Sequence, residues 1–221
     1  MSRAFDVAPA VGTRRLFVVP CGRTKLDTPA PARSLYTGSM FRFCFAVIER
    51  EAALAAAAGM SARVMILSAR HGLLDPDTEI APYEQAMTAP GAVADWRLAD
   101  QLAAVTADHD TEIVAFLPKA YLTRLREALD LIRRDHTHTV LLCDAYEAAP
   151  GIGYQRRVLA DLRRSQEVRH VDTPPQQPDP SSQRRSIAAH RTPHSQRERA
   201  DPYRLRSNRT EWRKRSCHPD P

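Results

Sequence analysis

The amino-acid sequence predicts an α/β fold: a single layered domain with a mostly parallel, helix-covered sheet, plus a disordered C-terminal tail. Three observations predict it. Four short apolar runs rich in β-branched and aromatic residues recur along the chain, amphipathic segments lie between them, and after Val168 the composition changes abruptly. Continuous rather than alternating hydrophobicity marks strands covered on both faces. Strand alternating with helix is the pattern of a layered sheet.

Leu16-Phe17-Val18-Val19, closed by Pro20, reads as the first strand. Val64-Met65-Ile66-Leu67 reads as the second, Ile113-Val114-Ala115-Phe116-Leu117, closed by Pro118, as the third, and Thr139-Val140-Leu141-Leu142 as the fourth. Met40 to Ala58 reads as a helix, with Ser39 placed to cap it and Gly59 to stop it. Ala92 to Thr106, Tyr121 to Arg134 and Ile152 to Arg164 carry apolar residues every three or four positions and read as further helices. This gives an N-terminal arm over 1–14, an α/β domain over 15–168 and an Arg/Pro-rich tail over 169–221. A domain of that size buries close to about 70% of its unfolded surface and folds without metal or disulfide help. The tail cannot bury enough apolar surface to offset its ordering entropy.

The chain has 221 residues, with 32 Lys+Arg against 26 Asp+Glu. From Arg169 onward there are 12 basic and 6 acidic residues, so residues 1–168 carry 20 of each sign. That split excludes a domain whose whole surface is basic, because the excess charge belongs to the tail. Cys21, Cys44, Cys143 and Cys217 show no C-x-x-C spacing, and no apolar stretch is long enough to span a bilayer or act as a secretory core. A reducing cytoplasm, no membrane and no structural disulfide are the expectation.

In a parallel sheet, ligands bind outside the carboxyl ends of the strands, so the residues after each apolar run bear the chemistry. They are Pro20-Cys21-Gly22-Arg23-Thr24-Lys25, Ser68-Ala69-Arg70-His71-Gly72-Leu73-Leu74-Asp75, Pro118-Lys119-Ala120-Tyr121 and Cys143-Asp144-Ala145-Tyr146. If the sheet is parallel, these four loops converge on one edge. The first could cradle a phosphate or carboxylate between backbone N–H groups and Lys25, or be a plain strand exit with Gly22 making the turn. Cys21 reads either as a nucleophile activated by Lys25, Arg70 or His71, or as a buried inert thiol. His71 is a general acid or base, or a loop histidine bonded to a carbonyl, and Arg70 is a bidentate anion holder. Asp75 before Pro76 reads as a turn starter. Thr37 and Ser39 precede a helix whose free N–H groups form an anion site. Gly151-Ile152-Gly153 opens a helix without completing a dinucleotide fingerprint. No P-loop is present, and His71 with Asp75 does not make a metal site. No cofactor is expected.

Cys21-Gly22-Arg23-Thr24-Lys25-Leu26, Pro29-Ala30-Pro31-Ala32, Leu35-Tyr36-Thr37-Gly38-Ser39, Leu67-Ser68-Ala69-Arg70-His71-Gly72-Leu73-Leu74 and Ile80-Ala81-Pro82-Tyr83-Glu84 together resemble one family. It is the bacterial and phage family known as domain of unknown function 6884 (DUF6884), with a looser similarity to the peroxide-stress YaaA proteins. Gly151-Ile152-Gly153-Tyr154-Gln155-Arg156 looks like that family's last motif. The Cys-x-x-x-Lys block is also similar to the Pro-Cys-Ser segment of archaeosine-type tRNA-modifying proteins. The resemblance implies an α/β domain that handles a nucleobase or nucleotide, with Cys21, Lys25, Tyr36, Ser39, Ser68, Arg70, His71 and Tyr83 forming its site.

Two functions follow as expectations. In the first, an enzyme acts on a nucleobase, nucleoside or nucleotide, alone or within DNA or RNA. Lys25 and Arg70 hold phosphate, Tyr36 or Tyr83 stacks on the base, His71 transfers a proton and Cys21 lines the floor, with Ser68 and Ser39 completing the substrate site. In the second, a non-catalytic nucleic-acid-binding or stress-protection protein uses its arginine tail for sequence-independent attraction to phosphate. Whether the protein is an enzyme at all stays open at this level.

Overall fold

A computed structural model describes residues 13–133, 137–149 and 151–171. The chain runs β1 (Arg14–Pro20), β2 (Ala30–Pro31), α1 (Ala32–Leu35), α2 (Ser39–Ala57), β3 (Ala62–Ser68), β4 (Gly72–Leu74) and β5 (Glu79–Ile80). It continues through α3 (Asp95–Thr106), β6 (Thr111–Ala115), α4 (Lys119–Ile132), β7 (Val140–Asp144) and α5 (Ile152–Val171). The main sheet has the order β4-β3-β1-β6-β7, and β2 pairs with β5 in a separate two-stranded ribbon. β1 is parallel to both β3 and β6, and β6 is parallel to β7. The expected α/β architecture with a mostly parallel sheet is therefore what the chain adopts.

The apolar runs of β1, β3 and β6 are continuous because successive side chains enter two different cores, whereas β7 is an edge strand whose Leu141 is exposed, contrary to the expectation that all four runs are covered on both faces. Phe17 and Val19 of β1, with Ile66 and Phe116, pack under α2 and α5. Leu16 and Val18, with Leu67 and Ile113, pack under α3 and α4. Phe17, Ile66 and Leu67 are essentially inaccessible, and each such side chain contributes about 1.5–3 kcal/mol relative to exposure.

Several boundaries differ from the sequence expectation, for local reasons. Ser39 does not cap α2: Gly38 holds the N-cap position, no side chain bonds the free N–H groups, and Ser39 is the first helical residue. The helix does stop at Gly59, where Gly59 N–H donates to Ala56 and Met60 N–H to Ala55, a Schellman ending. Leu73 and Leu74 are not loop but edge strand, because Ser68-Ala69-Arg70-His71-Gly72 turns tightly enough to pair Ser68 with Gly72 and bring β4 back antiparallel. Gly72 has φ +76°, and an added Cβ would stand 1.9 Å from Gln101 Oε1, so only glycine closes this turn. Val93 N–H is held by the Ala69 carbonyl, which delays α3 to Asp95. α5 runs past Arg164 because the buried Gln166 donates to the Val47 carbonyl and to Glu51, and Arg169 closes on the same carboxylate. Asp75 does start a turn, accepting the Asp77 N–H at 2.9 Å. The expectations for the first twelve residues and for the tail beyond residue 171 fall outside the described residues.

Candidate functional site

β1 has a neighbour on each side: β3, reached through α2, and β6, reached through α3. β1 continues into α2 on one face of the sheet and β6 into α4 on the other, so a crevice opens between the carboxyl ends of β1 and β6. A cavity of about 360 Å³ lies there. Pro20, Cys21, Gly22, Arg23 and Thr24 enter it from β1, Phe116, Pro118 and Tyr121 from β6 and the start of α4, Gly38 to Phe41 from the start of α2, Tyr146 from beyond β7, and Ile152 and Gln155 from α5. The volume lies within the usual range for small-molecule sites. Its walls are largely apolar and aromatic, with Phe116 edge-on to Tyr146 at 5.7 Å.

Gly22 is required by close approach. A Cβ there would lie 3.1 Å from Tyr36 Cβ and 3.3 Å from Phe41 Cβ, so the loop leaving β1 lies flat against the start of α2. Cys21 Sγ is 3.2 Å from Tyr121 Oη. Cys21, Gly22, Arg23 and Tyr121 form a wall shared with a second, wider cavity of about 770 Å³, lined further by Lys25 and by Glu84 to Pro90. Lys25 does not reach the smaller cavity. Its ammonium donates to the Arg23 carbonyl at 3.0 Å, stands 4.0 Å from Glu84 and lies 4.5 Å from the centre of the Tyr83 ring.

Tyr83 organises the remaining expected residues. Ser68 Oγ accepts the N–H groups of Arg70 and His71, which directs its own hydrogen to Tyr83 Oη at 2.7 Å, and Tyr83 in turn meets Tyr36 Oη at 2.9 Å. His71 stands edge-on to the Tyr83 ring at 5.1 Å, and the Arg70 guanidinium is 5.9 Å from it. The fold thus gathers Lys25, Arg70, His71, Ser68, Tyr36 and Tyr83 into one cluster, with Cys21 and Ser39 in the neighbouring cavity. Tyr36 and Tyr83 are buried and line neither of the two cavities, so neither ring is placed to stack on a base there, contrary to expectation. Arg70, His71 and Ser68 line neither of the two cavities, because the tight β3–β4 hairpin turns them toward Tyr83.

Burial sets the protonation of this cluster. It pushes Tyr36 up to about 12 and holds Tyr83 and Tyr121 far above the usual phenol range, so all three stay neutral hydrogen-bond partners. His71 is lowered, first by burial and then by the nearby charges of Arg70 and Arg97. Its Nε2 is buried with no hydrogen-bond partner, consistent with a neutral ring. Burial pushes the Cys44 thiol up to about 12, which makes it inert packing beneath the smaller cavity.

Tyr121, Tyr146, Phe41, Phe116, Ile152 and Gln155 line the cavity but were not among the expected site residues. Tyr121 and Tyr146 carried a usable signal, since both follow apolar runs at the carboxyl edge. Among the described residues, no three His, Cys, Asp or Glu side chains group as a metal site, and no helix is long and apolar enough to cross a membrane.

No curated protein and no solved structure matches the chain. A family model does match residues 16–141, from β1 into β7, and by that match the chain belongs to the family of unknown function DUF6884.

Proposed function

We propose that the cavity between the carboxyl ends of β1 and β6 binds a nucleobase or nucleotide, and that the protein belongs with enzymes that modify a base, including one held in DNA or RNA. One observation carries the reading: the site combines an aromatic and apolar wall with an uncapped helix start at its mouth. A planar heterocycle suits the wall of Phe116, Tyr146 and Phe41. The first N–H groups of α2, with Arg23, Thr24 and Ser39, suit an attached phosphate. Cys21 and Tyr121 offer a thiol and a phenol hydrogen-bonded to each other beside the bound ring. Lys25 serves the adjoining cavity, and His71 and Ser68 act as positioning residues through Tyr83.

Gly38→Asp separates binding from folding. Gly38 has ordinary backbone angles, φ −61° and ψ 139°, and its Cβ would meet nothing closer than Thr24 Oγ1 at 4.0 Å. An N-cap aspartate in place of glycine stabilises a helix by about a few tenths of a kcal/mol, while its charge repels an anion at the same N–H groups. Calorimetric titration with the common ribonucleoside monophosphates should show binding to the parent and at least about a tenfold loss in G38D, with Tm unchanged or raised. Equal affinity in the two proteins, or none in the parent, would remove this function.

A further inference from the structure

We infer that the carboxyl rim around this cavity is a binding surface for a single-stranded polynucleotide, so that the base reaches the cavity as part of a strand. The inference rests on the nucleobase reading above and adds the form of the substrate. Its basis is the distribution of charge. Away from the rim, the arginines are neutralised: Arg15 pairs with Glu112, Arg33 with Glu49 and Asp77, Arg63 with Asp75, and Arg133 with Asp130. At the rim Lys25 faces Glu84 and Arg126 faces Asp144, but most of the cations there have no such partner. Arg23 follows β1, Arg70 follows β3, and neither has an acidic partner among the described residues. The same holds for Arg42 in the first turn of α2, Arg97 in that of α3, and Lys119 at the start of α4. It holds too for Arg156 and Arg157 early in α5, Arg156 donating only to Ser39 Oγ. Elsewhere among the described residues, Arg14 and Arg50 alone lack an acidic partner.

These positions run against helix electrostatics. Helix starts favour acidic side chains, yet the first turns of α2, α4 and α5 contain none, and basic residues stand there or close by. Cations and helix starts therefore repel one another across a single edge, an arrangement that a polyanion relieves. Asp27, Glu84 and Glu147 are exposed acids on the loops beside them.

An exposed aromatic side chain favours a single strand over a duplex. Tyr154 is 61% exposed at the start of α5, beside the exposed Ile152 that also lines the cavity. Unpaired bases stack on such a ring while the backbone follows the arginines. A base already outside a duplex reaches the cavity without the cost of leaving the stack.

The test is fluorescence anisotropy on the full chain with a labelled mixed-sequence DNA dodecamer, its duplex, and a mononucleotide competitor, over a range of salt. Replacing Arg97 and Arg157 together by Gln should weaken strand binding about tenfold and flatten the slope of log K against log salt by about 1.4, with mononucleotide affinity within about twofold of the parent. Tyr154→Ala should weaken the strand and spare the duplex. Parent-like strand affinity and slope in the double variant would overturn the inference and assign the attraction to residues beyond 171, and tighter binding of the duplex would overturn it as well. A protein that binds the mononucleotide but holds the strand no more tightly defeats this inference alone. One that binds neither defeats the nucleobase reading with it.

Discussion

Around Ser68, three donors and acceptors meet at one buried hydroxyl. Its oxygen closes the hairpin by taking the Arg70 and His71 N–H groups, and its hydrogen orients Tyr83, against which Lys25 and His71 both pack. His71 is in this way held by its backbone and its ring face rather than by its nitrogens. Its lowered pKa fixes the sign of a pH effect. Between the unfolded value near about 6.5 and the lower folded value, the unfolded chain binds the proton that the native ring refuses. The contribution to stability is therefore full above that window and is lost as pH falls through it. Urea unfolding of the parent and His71→Gln from neutral to mildly acid pH should show a smaller loss of stability in the variant. An identical fall in both would mean that the ring titrates normally. Little of this was legible from residue types: Tyr36, Tyr83 and Ser68 are correctly placed beside one another by the family's blocks, but their burial, which removes the two rings from base stacking, comes from long-range packing that no local pattern carries.

The hairpin between β3 and β4 is the element that most changes the expected site. Ser68 to Asp75 contains residues of a functional type, and a loop leading into a cleft is a natural reading of them. The two-residue and three-residue strands are too short to show a period, and Gly72 is legible only as a turn former of unspecified type. What makes the turn tight is Gln101, far along the chain on α3, which accepts the Leu73 N–H and donates to the His71 carbonyl. Gly72→Ala would place a side chain at positive φ and force Gln101 off both bonds, costing about 2–3 kcal/mol. In urea this should appear as a lower midpoint with an unchanged slope. A cost below about 1 kcal/mol would show that Gln101 moves freely and that the turn does not depend on it. Three of the main strands were legible for the opposite reason: β1, β3 and β6 are buried on both faces, so their apolar runs are unbroken. α5 is harder to delimit, because its last turns are anchored by Gln166 and Arg169 to Glu51, polar contacts without an apolar stripe.

At the scale of the molecule, strand order decides where the site lies. Parallel pairing can be argued from covered strands, and it brings four loops to one edge. The order β4-β3-β1-β6-β7 adds that the crevice opens between β1 and β6, which draws Cys21 and Tyr121 together and leaves the β3 loop to one side. That order is set by helices packing on opposite faces, information spread over the whole chain. The family match covers this core and assigns no reaction, so the reaction has to be argued from the cavity itself. The most direct measurement is a nucleotide titration followed by backbone amide NMR on the full chain. The account predicts saturable shifts at Gly22, Arg23 and Thr24, at Ser39 to Phe41, and at Tyr121. Shifts confined to other segments, or none at millimolar nucleotide, would contradict it.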